Sequence, residues 1–105
     1  MALEGFVRGL RTRVPERVRS VILYGSRARG DCRPDSDVDL FMVVDRRDEE
    51  LLDIVYTLAQ DALLAHHVLL SPKVCPEDRL AEMRLIGDPL LDSLASEGRD
   101  LWTRS

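Results

Sequence analysis

The residues able to do chemistry are concentrated in one stretch, Gly25-Ser26-Arg27-Ala28-Arg29-Gly30 followed by Pro34-Asp35-Ser36-Asp37-Val38-Asp39-Leu40. The first half comes directly after the apolar run Val21-Ile22-Leu23-Tyr24, so a strand is expected to run into Gly-Ser and then a short turn over 26–29. Glycine at position 25 lets the backbone turn tightly and approach a ligand. The free N–H groups at the start of such a turn, with the Ser26 hydroxyl, make an anion site suited to phosphate, and Arg27 and Arg29 add positive charge beside it. In the second half, Asp37 and Asp39 stand two residues apart at the head of an expected strand, which turns both carboxylates to one face. Neighbouring carboxylates repel one another, and a hard divalent cation such as Mg²⁺ relieves the repulsion. A phosphate cradle next to a metal clamp describes a site for a nucleoside triphosphate, the metal bridging protein and phosphates.

Other readings of the same residues fit less well. The P-loop pattern GxxxxGK[ST] is absent, because Gly30 is followed by Asp31-Cys32. An EF-hand loop beginning at Asp35 fails at Leu40, where glycine is needed, and at Arg46, where glutamate is needed. Ser26 lacks the flanking glycines of a nucleophile elbow. A surface turn with capping serines and solvated aspartates explains each residue singly but not the whole set at this spacing. Cys32 and Cys75 form no CxxC pattern and read as free thiols, and zinc ligands at suitable spacing are missing.

The elements that must position this stretch can be read from periodicity. Leu3, Phe6, Val7 and Leu10 recur at helical spacing and predict a helix over about Leu3 to Thr12. Val18 to Tyr24 predicts a buried strand, and Asp37 to Val44 a second one. Leu51, Leu52, Val55, Leu58, Ala59, Ala62 and Leu63 mark a helix from about Glu49 to Ala65, with Asp48 available as its N-cap. A third strand is predicted over His66 to Val74, bent or ended near Pro72, then helices over Glu77 to Leu85 and Leu90 to Ser96, and a short tail with Trp102 packed back. The order implies an α/β (α+β) fold, a small mixed β-sheet with helices packed on it, in a single domain over 1–105.

Composition bounds the function. A chain of 105 residues with 45% hydrophobic and 32% charged residues can build one core. No apolar run approaches the roughly 20 residues of a membrane span, and the N-terminus has no secretory pattern, so a cytoplasmic location is expected. A net charge of −4 argues against a general nucleic-acid binder. Residues 1–33 nonetheless hold eight arginines against Glu4, Glu16 and Asp31, with Arg27, Arg29 and Arg33 flanking the expected phosphate loop. Fourteen of the fifteen basic residues are arginine.

Gly25-Ser26, ten further residues and Asp37-Val38-Asp39 together resemble the signature of the nucleotidyltransferase superfamily that includes DNA polymerase β and kanamycin nucleotidyltransferase. The fuller string, from Gly25 to Gly30 with Ser36 to Leu40, is most similar to the minimal nucleotidyltransferase (MNT) proteins, which are about this long. The resemblance implies a nucleotidyltransferase fold, Mg²⁺ and an ATP-type donor, with Gly25 and Ser26 at the β- and γ-phosphates and Asp37 and Asp39 as catalytic metal ligands. It implies transfer of a nucleoside monophosphate, AMP from ATP, to a hydroxyl of a partner protein. The implied partner is a helical HEPN-like protein in a toxin–antitoxin pair, with a homo-oligomer also open. Active members usually carry a third carboxylate on a later strand, and His66 to Val74 contains neither Asp nor Glu. A base could then come from His67, from a partner chain, or not at all. The competing expectation is a catalytically weak nucleotide-binding antitoxin or assembly subunit that acts on a HEPN-like partner by contact.

Overall fold

Phe6 and Leu10, one helical turn apart, lie on the inward side of α1 (Ala2–Arg13), where both side chains are fully buried. The computed structural model describes residues 2–24 and 38–102 of the chain. Two seven-residue strands follow, β1 (Val18–Tyr24) and β2 (Val38–Val44), paired antiparallel with Leu23 opposite Leu40 and Tyr24 opposite Asp39. Helix α2 (Glu49–His66) is the crossover that carries the chain to β3 (Leu70–Pro76), parallel to β2, as a parallel pair requires. Helices α3 (Glu77–Ile86) and α4 (Pro89–Glu97) precede a two-residue strand, β4 (Arg99–Asp100). The sheet order is β3-β2-β1-β4.

Strand β2 is central, which explains why it is apolar at nearly every position. Its even residues Val38, Leu40, Met42 and Val44 join Phe6, Leu10, Leu51 and Val55 in the core under α1 and α2. Its odd residues Phe41 and Val43 pack with Cys75, Met83 and Leu94 on the opposite side, under α3 and α4. Asp39 has the same parity and belongs to that second face.

The structure moves the third strand. Helix α2 runs through His66, and His67 ends it in the left-handed conformation (φ 57°), its N–H donating to the Leu63 carbonyl. The predicted strand start at His66 is therefore wrong: the hydrogen-bonded helix outweighs the β-like run His66-His67-Val68-Leu69. Nor does Pro72 end the strand. The Val38 N–H donates to the Leu69 carbonyl at 2.9 Å, which in a parallel ladder turns residues 69, 71, 73 and 75 toward β2 and residues 70, 72, 74 and 76 outward. Pro72 and Pro76 thus occupy outward positions, where a missing N–H breaks no bond of the sheet.

The C-terminal tail also contributes a strand that periodicity does not reveal. Arg99 and Asp100 pair with Leu23 and Ile22, and the Leu101 N–H donates to the Val21 carbonyl at 2.8 Å. Gly98 makes the approach possible, since a Cβ there would meet the Leu94 carbonyl oxygen and come within 2.6 Å of Ile22 Cγ2. Trp102 is buried as expected, with the Arg11 guanidinium 5.0 Å from its ring centre.

Arg17 fastens β1 to the far end of β2 and to the start of α2. Its Nε lies 3.1 Å from Asp45 Oδ1 and its Nη2 3.0 Å from Asp48 Oδ2. Asp48 also caps α2, accepting from the Leu51 N–H at 2.9 Å. The Arg17 hydrogen bond, then the Leu51 amide, hold the Asp48 carboxyl at about 2, below the ordinary 3.8. A depressed carboxylate stabilises the fold above its unfolded value, and that contribution is lost as pH falls through the folded value. Replacing Asp48 by asparagine keeps a capping oxygen and removes the charge. The variant is expected to melt lower than the parent at neutral pH, with the difference shrinking as the pH drops from about 4 to about 2. Thermal melts across that range check it.

Candidate functional site

On the α3/α4 face, residues opposite one another across three strands form rows. Tyr24, Asp39 and Ser71 make one row, Ile22, Phe41 and Lys73 the next, and Ser20, Val43 and Cys75 the third. Phe41, Val43 and Cys75 are covered by Met83 and Leu94 from the helices. The Tyr24–Asp39–Ser71 row lies at the end of the sheet where β1 finishes and β2 begins, and all three residues are half-buried. An open groove of about 840 Å³ passes over it, lined by Tyr24, Asp39, Ser71, Lys73 and Arg79 among others. That volume falls within the range of small-molecule sites.

Asp39 makes no hydrogen bond or ion pair with another described residue. A half-buried carboxylate with no partner among the described residues is available to a cation or donor in the groove. Its charge is felt across the strand pair: burial first, and the Asp39 carboxylate second, push the Tyr24 phenol above its ordinary 10. This donor chemistry suits a hard divalent cation, which takes carboxylate oxygens. Among the described residues there is no cluster of three or more His, Cys, Asp or Glu side chains able to hold a metal unaided. Asp39 would need further oxygens from elsewhere in the chain, from nucleotide phosphates or from water.

Of the residues singled out in the sequence, Asp39 is thus placed in the groove. Gly25, Ser26, Arg27, Arg29, Arg33 and Asp37 lie outside the described residues. The chain leaves the described sheet immediately after Tyr24 and re-enters it at Val38, one residue before Asp39. His66 and His67 do not line the groove: they end α2, and His66 borders a separate cleft with Ala2 and Phe6. Both histidines thus belong to the end of a helix and not to the third strand, where the sequence pattern places them. The third strand in its observed position, Leu70–Pro76, still contains no carboxylate, and Ser71 and Lys73 face the groove instead.

Tyr24, Ser71 and Lys73 were not evident from the sequence as site residues, because sheet register brings them there. Two signals were nevertheless available. Tyr24 is the residue before Gly25, and Lys73 is the only lysine in the chain.

Comparison with known proteins gives a consistent picture. The model of the nucleotidyltransferase domain family matches residues 3–99. A Methanocaldococcus jannaschii protein named "Putative protein adenylyltransferase" is 34% identical over 77 residues, 73% of this chain and 73% of the relative. Among solved structures, a chain of a toxin–antitoxin complex with AMP-PNP superposes with a TM-score of 0.63 at 19% identity, covering 97% of this chain and 73% of that one. A chain of the complex of tri-AMPylated Shewanella oneidensis HEPN toxin with MNT antitoxin gives a TM-score of 0.54 at 17% identity, covering 99% and 74%. At those identities the two structures establish a shared fold. The family match over nearly the whole chain, with the adenylyltransferase-named relative, goes further: the chain belongs to the nucleotidyltransferase domain family and is a nucleotidyltransferase.

Proposed function

We propose that the protein transfers AMP from ATP, with Mg²⁺, to a hydroxyl of a partner protein, and that the partner is a HEPN-like helical protein neutralised in a toxin–antitoxin pair. The observation that carries this reading is Asp39, a half-buried carboxylate that pairs with no described residue, beside Tyr24, the residue that leads directly into Gly25-Ser26. Gly25, Ser26, Arg27 and Arg29 would hold the phosphates, and Asp37 with Asp39 the metal. When bound, Mg²⁺ would offset the charge of the phosphate oxygens. The acceptor oxygen forms a bond to the α-phosphorus, the bond from that phosphorus to the bridging oxygen of the β-phosphate breaks, and pyrophosphate leaves while the hydroxyl proton passes to solvent or a base. The adenylyltransferase name of the relative and the AMP-PNP and AMPylated complexes among the structural neighbours support the nucleotide, the acceptor class and the partner. A cytoplasmic location is part of the same reading. Among the described residues no helix is long and apolar enough to cross a membrane.

A second reading has its own observation. Strand β3 carries Ser71 and Lys73 where a third carboxylate would stand, which favours a subunit that binds nucleotide and acts on its partner by contact. Incubation with α-labelled ATP, Mg²⁺ and the co-expressed helical partner separates the two. Label on the partner, abolished by a chelator and by Asp37→Ala, is the expected result. A tight complex with no label, unchanged by Asp37→Ala, would sink the transferase reading in favour of the contact one.

A further inference from the structure

Lys73 combines three properties. It is the one lysine in a chain whose other fourteen basic residues are arginines. It lies on β3 opposite Phe41, one row behind Asp39 on the same face, and lines the same groove. It forms no hydrogen bond or ion pair with another described residue. Arg17, Arg19 and Arg46 are tied to Asp45, Asp48 and Glu77, whereas Arg47 and Arg79 line the same groove and, like Lys73, make no side-chain hydrogen bond or ion pair with a described residue. Strand spacing puts the Lys73 and Asp39 backbones about 8 Å apart, a gap that a lysine's four-carbon stem reaches across.

We propose that Lys73 binds the phosphate chain of the donor nucleotide and stabilises the pyrophosphate as it leaves. The inference rests on the nucleotidyl-transfer reading of the groove and adds a role for β3 within it. The electrostatic argument is direct. A triphosphate brings several negative charges to a groove whose wall already carries the Asp39 carboxylate. An exposed ammonium on the neighbouring strand offsets that repulsion without occupying Asp39. A compact ammonium with three rotatable donors follows phosphate oxygens as charge shifts from the bridging oxygen to pyrophosphate. A guanidinium would instead impose a planar fork. In the transferase step Lys73 contributes charge and hydrogen bonds and transfers no proton. The bond broken is the one between the α-phosphorus and the oxygen that departs with pyrophosphate.

An anionic group on the acceptor could use the same ammonium, so the test separates the two sources. Affinities for ATP, ADP and AMP, measured by isothermal titration in the absence of acceptor, are compared for the parent, Lys73→Gln and Lys73→Arg. The expected result is an ATP affinity at least about tenfold weaker in Lys73→Gln, with AMP affinity little changed and Lys73→Arg partly restored. Equal weakening toward ATP and AMP would overturn the proposal, because a general disturbance of the groove does not discriminate between phosphates. Unchanged ATP affinity would also overturn it. In that case a raised KM for the acceptor alone would assign the ammonium to the acceptor. Asp39→Ala in the same titrations, with and without Mg²⁺, tests the underlying site separately. If that variant binds Mg²⁺-ATP like the parent, the reading of the groove fails; if only the Lys73 variants do so, the role of Lys73 alone fails.

Discussion

Replacing Asp39 by asparagine is expected to lower nucleotidyl transfer about a hundred- to a thousandfold while the melting temperature shifts by no more than about 2 °C. The two outcomes separate because Asp39 contributes little to the fold. Its neighbours in the strand, Val38 and Leu40, are buried in the core, whereas its own side chain faces the groove and pairs with no described residue. Asparagine retains the volume and one carbonyl oxygen but loses the charge that would hold a divalent cation. Removing a charged group that acts on developing phosphate charge costs several kcal/mol of barrier in typical enzymes. The Tyr24 phenol offers an internal check. Burial keeps it raised in the variant, but the part due to the Asp39 charge disappears, so ultraviolet titration should show it ionising at lower pH than in the parent. A folded Asp39→Asn protein with lowered phenol titration and undiminished transfer would remove Asp39 from the chemistry.

Phe41→Ala is expected to have the opposite profile, a large loss of stability from which activity follows. Phe41 is 1% exposed and lies between Ile22 and Lys73 in the middle row of the second sheet face. It is the largest side chain in the small cluster that attaches α3 and α4 to the sheet, with Val43, Cys75, Met83 and Leu94. Truncating a buried phenylalanine costs about 3–5 kcal/mol, against a total of about 5–15 kcal/mol for a domain of this size. The melting temperature should fall by more than about 10 °C, read by circular dichroism, with loss of cooperativity if α3 and α4 detach first. Phe41→Leu, which keeps most of the volume, should recover the greater part. A Phe41→Ala protein melting within a few degrees of the parent would show that this face collapses around the cavity.

How far each part could be read beforehand depended on where its determinants lie. Strand β1 was legible to the residue, and α1 and α2 nearly so, because Leu3, Phe6, Val7 and Leu10, and then Leu51 to Leu63, repeat with the period of the structure they form. Strand β3 was displaced because His66-His67-Val68-Leu69 looks extended by composition, while the left-handed His67 belongs to the helix it ends. Strand β4 was invisible for a different reason: Arg99-Asp100 has no pattern of its own and becomes a strand only through pairing with β1. The same division applies to the groove. Asp39 could be assigned to one face from alternation alone. Tyr24, Ser71 and Lys73 become its neighbours through register, which is a property of three strands at once.

The two outward-facing prolines of β3 have a consequence for assembly. Of the four N–H positions that this edge would offer to an added strand, those at residues 72 and 76 do not exist, and Lys73 stands between them. Two of the four outward donors are thus lost, which weakens the pairing of any strand added along β3. Recognition along this flank therefore relies more on side chains than on a backbone ladder.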